Sequence, residues 1–451
     1  MGLTMLEFDD IQHFLLTRTP ALAARYEFLS FREPAAGRAW LTGLIDKVGT
    51  GKSVGSASPD SRWVTLAFTW NGLRALGLEE ASLATFPDEF RQGMAARAAI
   101  VGATGANDPG YWVGELASPQ LHAIAILFAR DVAERERCMR EHDRYLSQIA
   151  GVEVLSSLDL QAIFPGEPRE HFGYRDRLTH PVIEGTGELS PPGSLPPIKA
   201  GEFFLGYIDE SGMKPLLPQP ETLSRNGSYL AYLRLQEHVG AFREFLRQNG
   251  QTRDEQELVA AKLMGRWRSG APLVLAPEKD DPALGVDTQR TNNFDYGKMD
   301  PYGYGCPVGS HIRRMNPRDT AENMSRRQMI RRGGTYGPRL PDNAPEDGIE
   351  RGIAAFIGCA SLVRQFEFAM NVWANDPRFK DLGNDRDPFV GTQDGTFDMT
   401  IPRRPVRKKI KGLATFTTIR GGAYFFLPGI RALRFLATNQ AATRSKLRKV
   451  S

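Results

Sequence analysis

The densest chemistry in the chain lies in residues 302–337, YGYGCPVGSHIRRMNPRDTAENMSRRQMIRRGGTYG, where a single histidine, His311, stands in a run rich in arginine. Neutral imidazole is the commonest protein ligand for a transition metal. Each arginine carries a permanent planar charge that grips a carboxylate through two parallel hydrogen bonds. Together they suit a metal-bearing cofactor that also carries carboxylates. Gly303, Gly305, Pro307 and Gly309, just ahead of His311, favour a sharply turning loop lying close to something bulky, with a helix beginning near His311. The plainer reading of the same residues is a solvated basic helix with a structural histidine.

A second stretch, 171–187 (HFGYRDRLTHPVIEGTG), leads into the proline-rich 191–207. Its Gly, Pro and Thr density marks a long irregular loop, and long loops in compact domains tend to be functional. It carries one carboxylate between two arginines, Arg175-Asp176-Arg177. Downstream of His311 stand Asp385, Asp387 and Asp394, the last inside Gly391-Thr392-Gln393-Asp394-Gly395, which reads as a turn. The three cysteines, Cys138, Cys306 and Cys359, lie far apart without metal-site spacing. That favours reduced thiols in a cytoplasmic setting.

The run CPVGSHIRRMNPR followed by MIRRGGTYG closely resembles the haem-binding segment of the dye-decolourising peroxidases, with the bacterial long-chain subclass the nearest likeness. The resemblance extends over about residues 26–428, including TFPDEFRQGMAAR at 85–97 and DPGYWVG at 108–114. It implies one haem b per chain, His311 as the proximal iron ligand, Arg331 over the distal face and Arg318 at a haem propionate. It makes Asp176 the distal carboxylate and leaves Cys306 to packing. Asp387, in DRDPFVG, is the expected partner of the histidine's other nitrogen, with Asp385 and Asp394 as nearby alternatives. The activity implied is reduction of hydrogen peroxide and one-electron oxidation of bulky aromatic donors such as dyes and phenolics. Some relatives form homo-oligomers, so that arrangement is allowed here.

The chain departs from the family pattern at two places. Arg177 stands where the family has glycine, setting a bulky cation beside Asp176, and GGTYG replaces the usual I-P-Y-G after the distal arginine. Both keep open an alternative, a haem-binding storage, carrier or sensor protein with little turnover. A third reading, the related chlorite-dismutating type, is disfavoured by the carboxylate of the distal loop.

The elements that must position these residues follow from patterning. At 451 residues the chain exceeds one ordinary core, and two tandem ferredoxin-like domains of the α+β class are expected. The first, 1–215, would carry the Asp176 loop; the second, 216–451, would carry His311, Arg331 and the haem. Strands are expected at 26–31, 62–68, 122–129, 227–235, 352–359 and 416–427, and helices at 34–48, 132–150, 236–246 and 364–373. Residues 261–273 and 281–299 read as insertions over the sheet, and the alanines of 352–356 as widening a peroxide channel. A net charge of +4 gives no case for nucleic acid, and no apolar run reaches membrane-spanning length. The first residues lack the basic leader of a secretory signal.

Overall fold

The computed structural model describes residues 5–16, 23–52, 64–164 and 166–438. The start of the expected second strand and the basic tail after residue 438 lie outside them.

Eight strands are pinned by apolar, β-branched and aromatic runs: β1 Ala23–Phe31, β2 Val64–Phe68, β3 Ala123–Ala129, β4 Val152–Gln161, β5 Ser228–Glu237, β6 Ile330–Tyr336, β7 Gly352–Cys359 and, after the small hairpin β8 Met399–Ile401 and β9 Lys408–Ile410, β10 Thr417–Leu427. They close into a barrel in the order β1-β3-β2-β10-β5-β7-β6-β4. Within that ring, β4-β1-β3-β2 and β10-β5-β7-β6 each repeat the antiparallel order of a ferredoxin-like sheet. The two sheets meet edge to edge at short seams, Phe426 opposite Phe68 and Leu160 opposite Tyr336. Closure leaves neither sheet with a free edge.

Alternation along each strand sorts the side chains. One set, including Tyr26, Phe28, Ile126, Tyr232, Phe356 and Phe425, fills the barrel. The opposite set in the first half, with Leu29, Leu66 and Leu127, packs beneath helix α1 Pro34–Leu44. Helix α2 Val132–Leu146 is set on β1 and β3, with its N-cap Asp131 accepting from the Glu134 amide. It stops short of residue 150 because the chain turns at 147–151, where Gly151 takes φ +87°. In the second half α3 Val239–Asn249 packs against α4 Arg253–Met264, so the stretch beginning at 261 opens inside a helix. The α4 helix is fixed by a capping box between Thr252 and Glu255.

Three further expectations are refined. The helix expected at 364–373 is π-helical, Leu362–Glu367 and Ala369–Asn375, a geometry that recurs at functional sites. Arg331 sits in a strand, β6, whose two central glycines hide the β pattern. Of the alanines on β7, Ala354 faces the barrel interior while Ala355 faces outward, because a strand presents only every second residue to one side.

Candidate active site

The outward face of the β5-β7-β6 sheet forms one wall of a cavity of about 500 Å³. Leu233 and Leu235 of β5 and Ile353, Ala355 and Ile357 of β7 supply its apolar lining, and Arg331 of β6 projects from the same face. The remaining walls come from the loop after β4, which belongs to the first half of the chain, and from the segments flanking His311.

His311 begins a short helix, α5 His311–Met315, entered through an extended Ser310 whose hydroxyl donates to the Lys262 carbonyl. Its Nδ1 lies 3.0 Å from both carboxylate oxygens of Asp387, leaving Nε2 as the ring's remaining nitrogen. Asp387 is fully buried. Burial works against its charge, but the His311 ring and the amides of Val390 and Phe389 outweigh it and hold the carboxyl below its ordinary range. Phe389 packs edge-on against His311, ring centres 5.8 Å apart. Asp385 is engaged elsewhere, by the Thr400 amide and hydroxyl, and Asp394 sits in an exposed turn with Thr396. Of the three carboxylates left open by sequence, Asp387 is thus the one that meets the histidine.

Arg331 reaches from β6 to the loop after β4, where Nη2 donates to the Thr179 carbonyl oxygen at 3.0 Å and the Thr179 hydroxyl at 3.1 Å. Burial pulls this guanidinium below its usual range, and the nearby charge of Asp176 opposes that pull. Asp176 borders the same cavity, and its Oδ1 accepts from the Arg177 amide at 2.6 Å. Arg177 holds φ at +64°, the left-handed conformation in which glycine is unstrained and an L side chain costs on the order of 1 kcal/mol. The loop therefore keeps the backbone path of a glycine while carrying an arginine.

Two further guanidinium groups border the cavity. Arg318, at φ +51°, donates to the carbonyls of Gly193, Asn292 and Phe294 and lies 3.8 Å over the Phe294 ring. Arg266, which sequence reasoning passed over, is buried and donates to Gly270, Thr291 and Asn292. Burial first, and then the Arg318 charge, push it down to about 10. Among the described residues neither arginine forms an ion pair with a carboxylate. Two cations without a carboxylate, Arg266 buried and Arg318 half-buried, beside an apolar cavity call for an anion within it. A haem meets each demand: a flat apolar body for the sheet face, propionates for Arg318 and Arg266, and an iron for His311. The residues present fit the group.

No family model matches the chain. Curated relatives do, along nearly its whole length. The "Dye-decolorizing peroxidase" of Exidia glandulosa is 29% identical over 456 residues, covering 96% of this chain and 87% of the relative. "Peroxidase 2" of Mycetinis scorodonius is 29% identical over 466 residues, covering 95% and 87%. The crystal structure of a fungal DyP-type peroxidase from Auricularia auricula-judae superposes with a TM-score of 0.85 at 26% identity, covering 96% of this chain and all of that one. Along nearly its whole length the chain is thus similar to dye-decolourising peroxidases. The family's α+β fold is the barrel of two ferredoxin-like sheets described above, and its members are haem-containing enzymes.

The site also contains what motif reading missed. Glu170 and Glu237 border the cavity together, one from the loop after β4 and one from the end of β5. Neither carried a local signal, since a glutamate at a strand end reads as solvent-facing. Cys306 is buried away from the cavity, its thiol pushed up to about 11 by burial, in keeping with a packing role.

Proposed function

We propose that the chain is a haem b peroxidase, with one haem per chain, that reduces hydrogen peroxide at this cavity and oxidises bulky aromatic donors, dyes and phenolics, in one-electron steps. The observation that carries this reading is the convergence on one apolar cavity of His311, backed by Asp387, with Asp176, Arg331 and the arginines Arg266 and Arg318, which have no carboxylate partners among the described residues. His311 would hold the iron, with Asp387 fixing the ring's tautomer and orientation through Nδ1. Arg318, with Arg266, would hold the propionates. Bound there, haem supplies the redox chemistry of peroxide reduction.

The residues of the chain supply the rest. Asp176 takes the proton from one peroxide oxygen and returns it to the other, acting first as base and then as acid. Arg331 stabilises the negative charge that builds on the departing oxygen as the O–O bond lengthens, and its bonds to Thr179 hold it in place beforehand. A cavity of about 500 Å³ cannot admit a dye beside a haem, so bulky donors pass electrons through the protein. The distal loop would come from domain 1–215 and the proximal histidine from domain 216–451.

Finer expectations belong to the same proposal. A cytoplasmic setting is supported by the three free cysteines, and no helix among the described residues is long and apolar enough to cross a membrane. The long-chain character is supported by coverage of 87% of the Exidia relative. The bacterial origin rests on motif likeness alone, the relatives named above being fungal. The strained Arg177 is the one observation that favours storage or sensing over turnover.

The test is the absorption spectrum of the haem-loaded protein before and after one equivalent of hydrogen peroxide. Rapid conversion to an oxidised intermediate is expected in the wild type. Asp176→Asn and Arg331→Leu should retain haem and lose at least a hundredfold in the rate of that conversion. His311→Ala should abolish the iron–imidazole spectrum. Haem that binds but only bleaches slowly would support storage or sensing instead.

A further inference from the structure

We propose that Glu170 and Glu237 form a proton-sharing carboxyl pair that fastens the distal loop to β5 and so positions Asp176. The inference rests on the reading of Asp176 given above and adds two positioning residues to it. Consecutive amides of the loop point at the two carboxyls: His171 N–H donates to Glu237 Oε2 at 3.2 Å and Phe172 N–H to Glu170 Oε2 at 2.6 Å. The Tyr174 amide donates to the other oxygen of Glu170 at 2.7 Å. The two carboxyls are thus held on adjacent amides of one loop. Glu170 is therefore the hub of a turn closed by the backbone bonds Glu170 N–H to Tyr174 and Gly173 N–H to Glu170. Gly173, at φ +93°, makes the turn feasible. Asp176 follows at once, its amide donating to the Pro168 carbonyl at 2.7 Å.

Two carboxyl groups held on adjacent amides, Glu237 buried and Glu170 half-buried, cannot both be ionised without several kcal/mol of repulsion and desolvation, so they retain one proton between them. The surrounding charges are few. Arg268, itself paired with Glu257 of α4, acts on Glu170, while Asp176 adds a further negative charge to both. Arg351, just before β7, offers Glu237 only its backbone carbonyl, its guanidinium being occupied by Asp347 and Glu346. His171, in the loop itself, is held neutral by burial. Nothing in this set replaces the shared proton. Burial raises Glu170 to about 7 and, with the charge of Glu170, Glu237 well above the ordinary carboxyl range. The folded state thus holds a proton that the unfolded chain releases near pH 4.3. The stabilisation is complete below that pH and is lost as pH rises through about 7.

The experiment uses the haem-loaded enzyme and Glu237→Gln, whose amide keeps a donor hydrogen without titrating. Two profiles are read between pH 6 and 9: the rate of reaction with peroxide, and the urea midpoint. The wild type should lose rate and stability together on the alkaline side. In Glu237→Gln the alkaline limb of the rate should move up by at least one pH unit and the urea midpoint should become flat. Glu170→Gln should flatten the stability profile in the same way, with a tenfold or greater loss of rate, because its amide faces two amide donors. Wild-type profiles in both variants overturn the proposal, and so does failure of both to fold, since each amide keeps the size of the side chain and an acceptor for the loop amides. Asp176→Asn separates the two readings. Turnover retained in it refutes the role of Asp176, whereas the urea profiles test the pair whatever Asp176 does.

Discussion

At the scale of single residues the distal loop is held between two opposite titrations. His171 donates from Nε2 to the Tyr336 carbonyl at 2.9 Å, and its Nδ1 is buried without a hydrogen-bond partner. Protonation would place a charge on that nitrogen, so burial lowers the imidazole from 6.5 to about 4. A histidine depressed in the fold contributes stability that is present above its unfolded value and is lost as pH falls toward the folded one. The wild type should therefore lose up to about 3 kcal/mol as pH falls from 6.5 to 4 that His171→Gln retains, measured as the difference in urea stability across that range. Parallel acid profiles for the two proteins would contradict it. With the Glu170–Glu237 pair failing on the alkaline side, the loop is best ordered between these limits. His311, Arg331, Asp176 and Arg318 were all named from motif, because their neighbours in sequence carry the signal. The glutamate pair was not, because its partners are far apart in the chain and neither flank marks it.

At the scale of elements, the proximal side depends on how a π-helical end is tied down. Arg314 is fully buried and donates Nε to the Trp373 carbonyl, Nη1 to Asp385 and Nη2 to Asp376. These carbonyls lie at the end of the π-helical segment and two residues before Asp387, so one guanidinium ties helix α5 to the strip that carries the histidine's partner. Its ring-face contact with Phe379, 4.7 Å away, completes the packing. Removing three charge-assisted bonds from buried acceptors is costly. Arg314→Leu should lose roughly 3 kcal/mol or more in urea unfolding and weaken haem binding at least tenfold in a titration. An unchanged affinity would show that Asp387 is placed without it. This device was illegible in sequence. Arg314 looks like one more basic residue of an exposed helix, and only burial distinguishes it.

At the scale of the whole molecule the barrel couples the two halves. The seams are short, yet the loop that carries Asp176 issues from β4 while its anchors, Glu237 and Arg331, belong to β5 and β6. The interior layer, with Tyr26 packed on Phe356 at 5.3 Å and Phe28 on Tyr232 at 5.3 Å, likewise draws from both sheets. Neither half can bury its inner aromatic face alone, so unfolding should be a single cooperative step. Far-ultraviolet circular dichroism and tryptophan fluorescence should report coincident midpoints. Two resolved transitions would show that the halves fold as separate units.

What the sequence determined by itself was local. Alternating apolar runs specified most strands, and the motifs around His311, Arg331 and Asp176 carry the resemblance that implies a haem and peroxide chemistry. These signals survive in one dimension because each depends on residues within a turn or two of one another. The tertiary structure decided everything that depends on distant pairs. It chose Asp387 over Asp385 and Asp394, gave Arg331 a strand and Thr179 as its support, and closed two sheets into one barrel. It also set Glu170 against Glu237. Burial and contact between remote segments fix the protonation and direction of a side chain, and neither is written in its immediate neighbours.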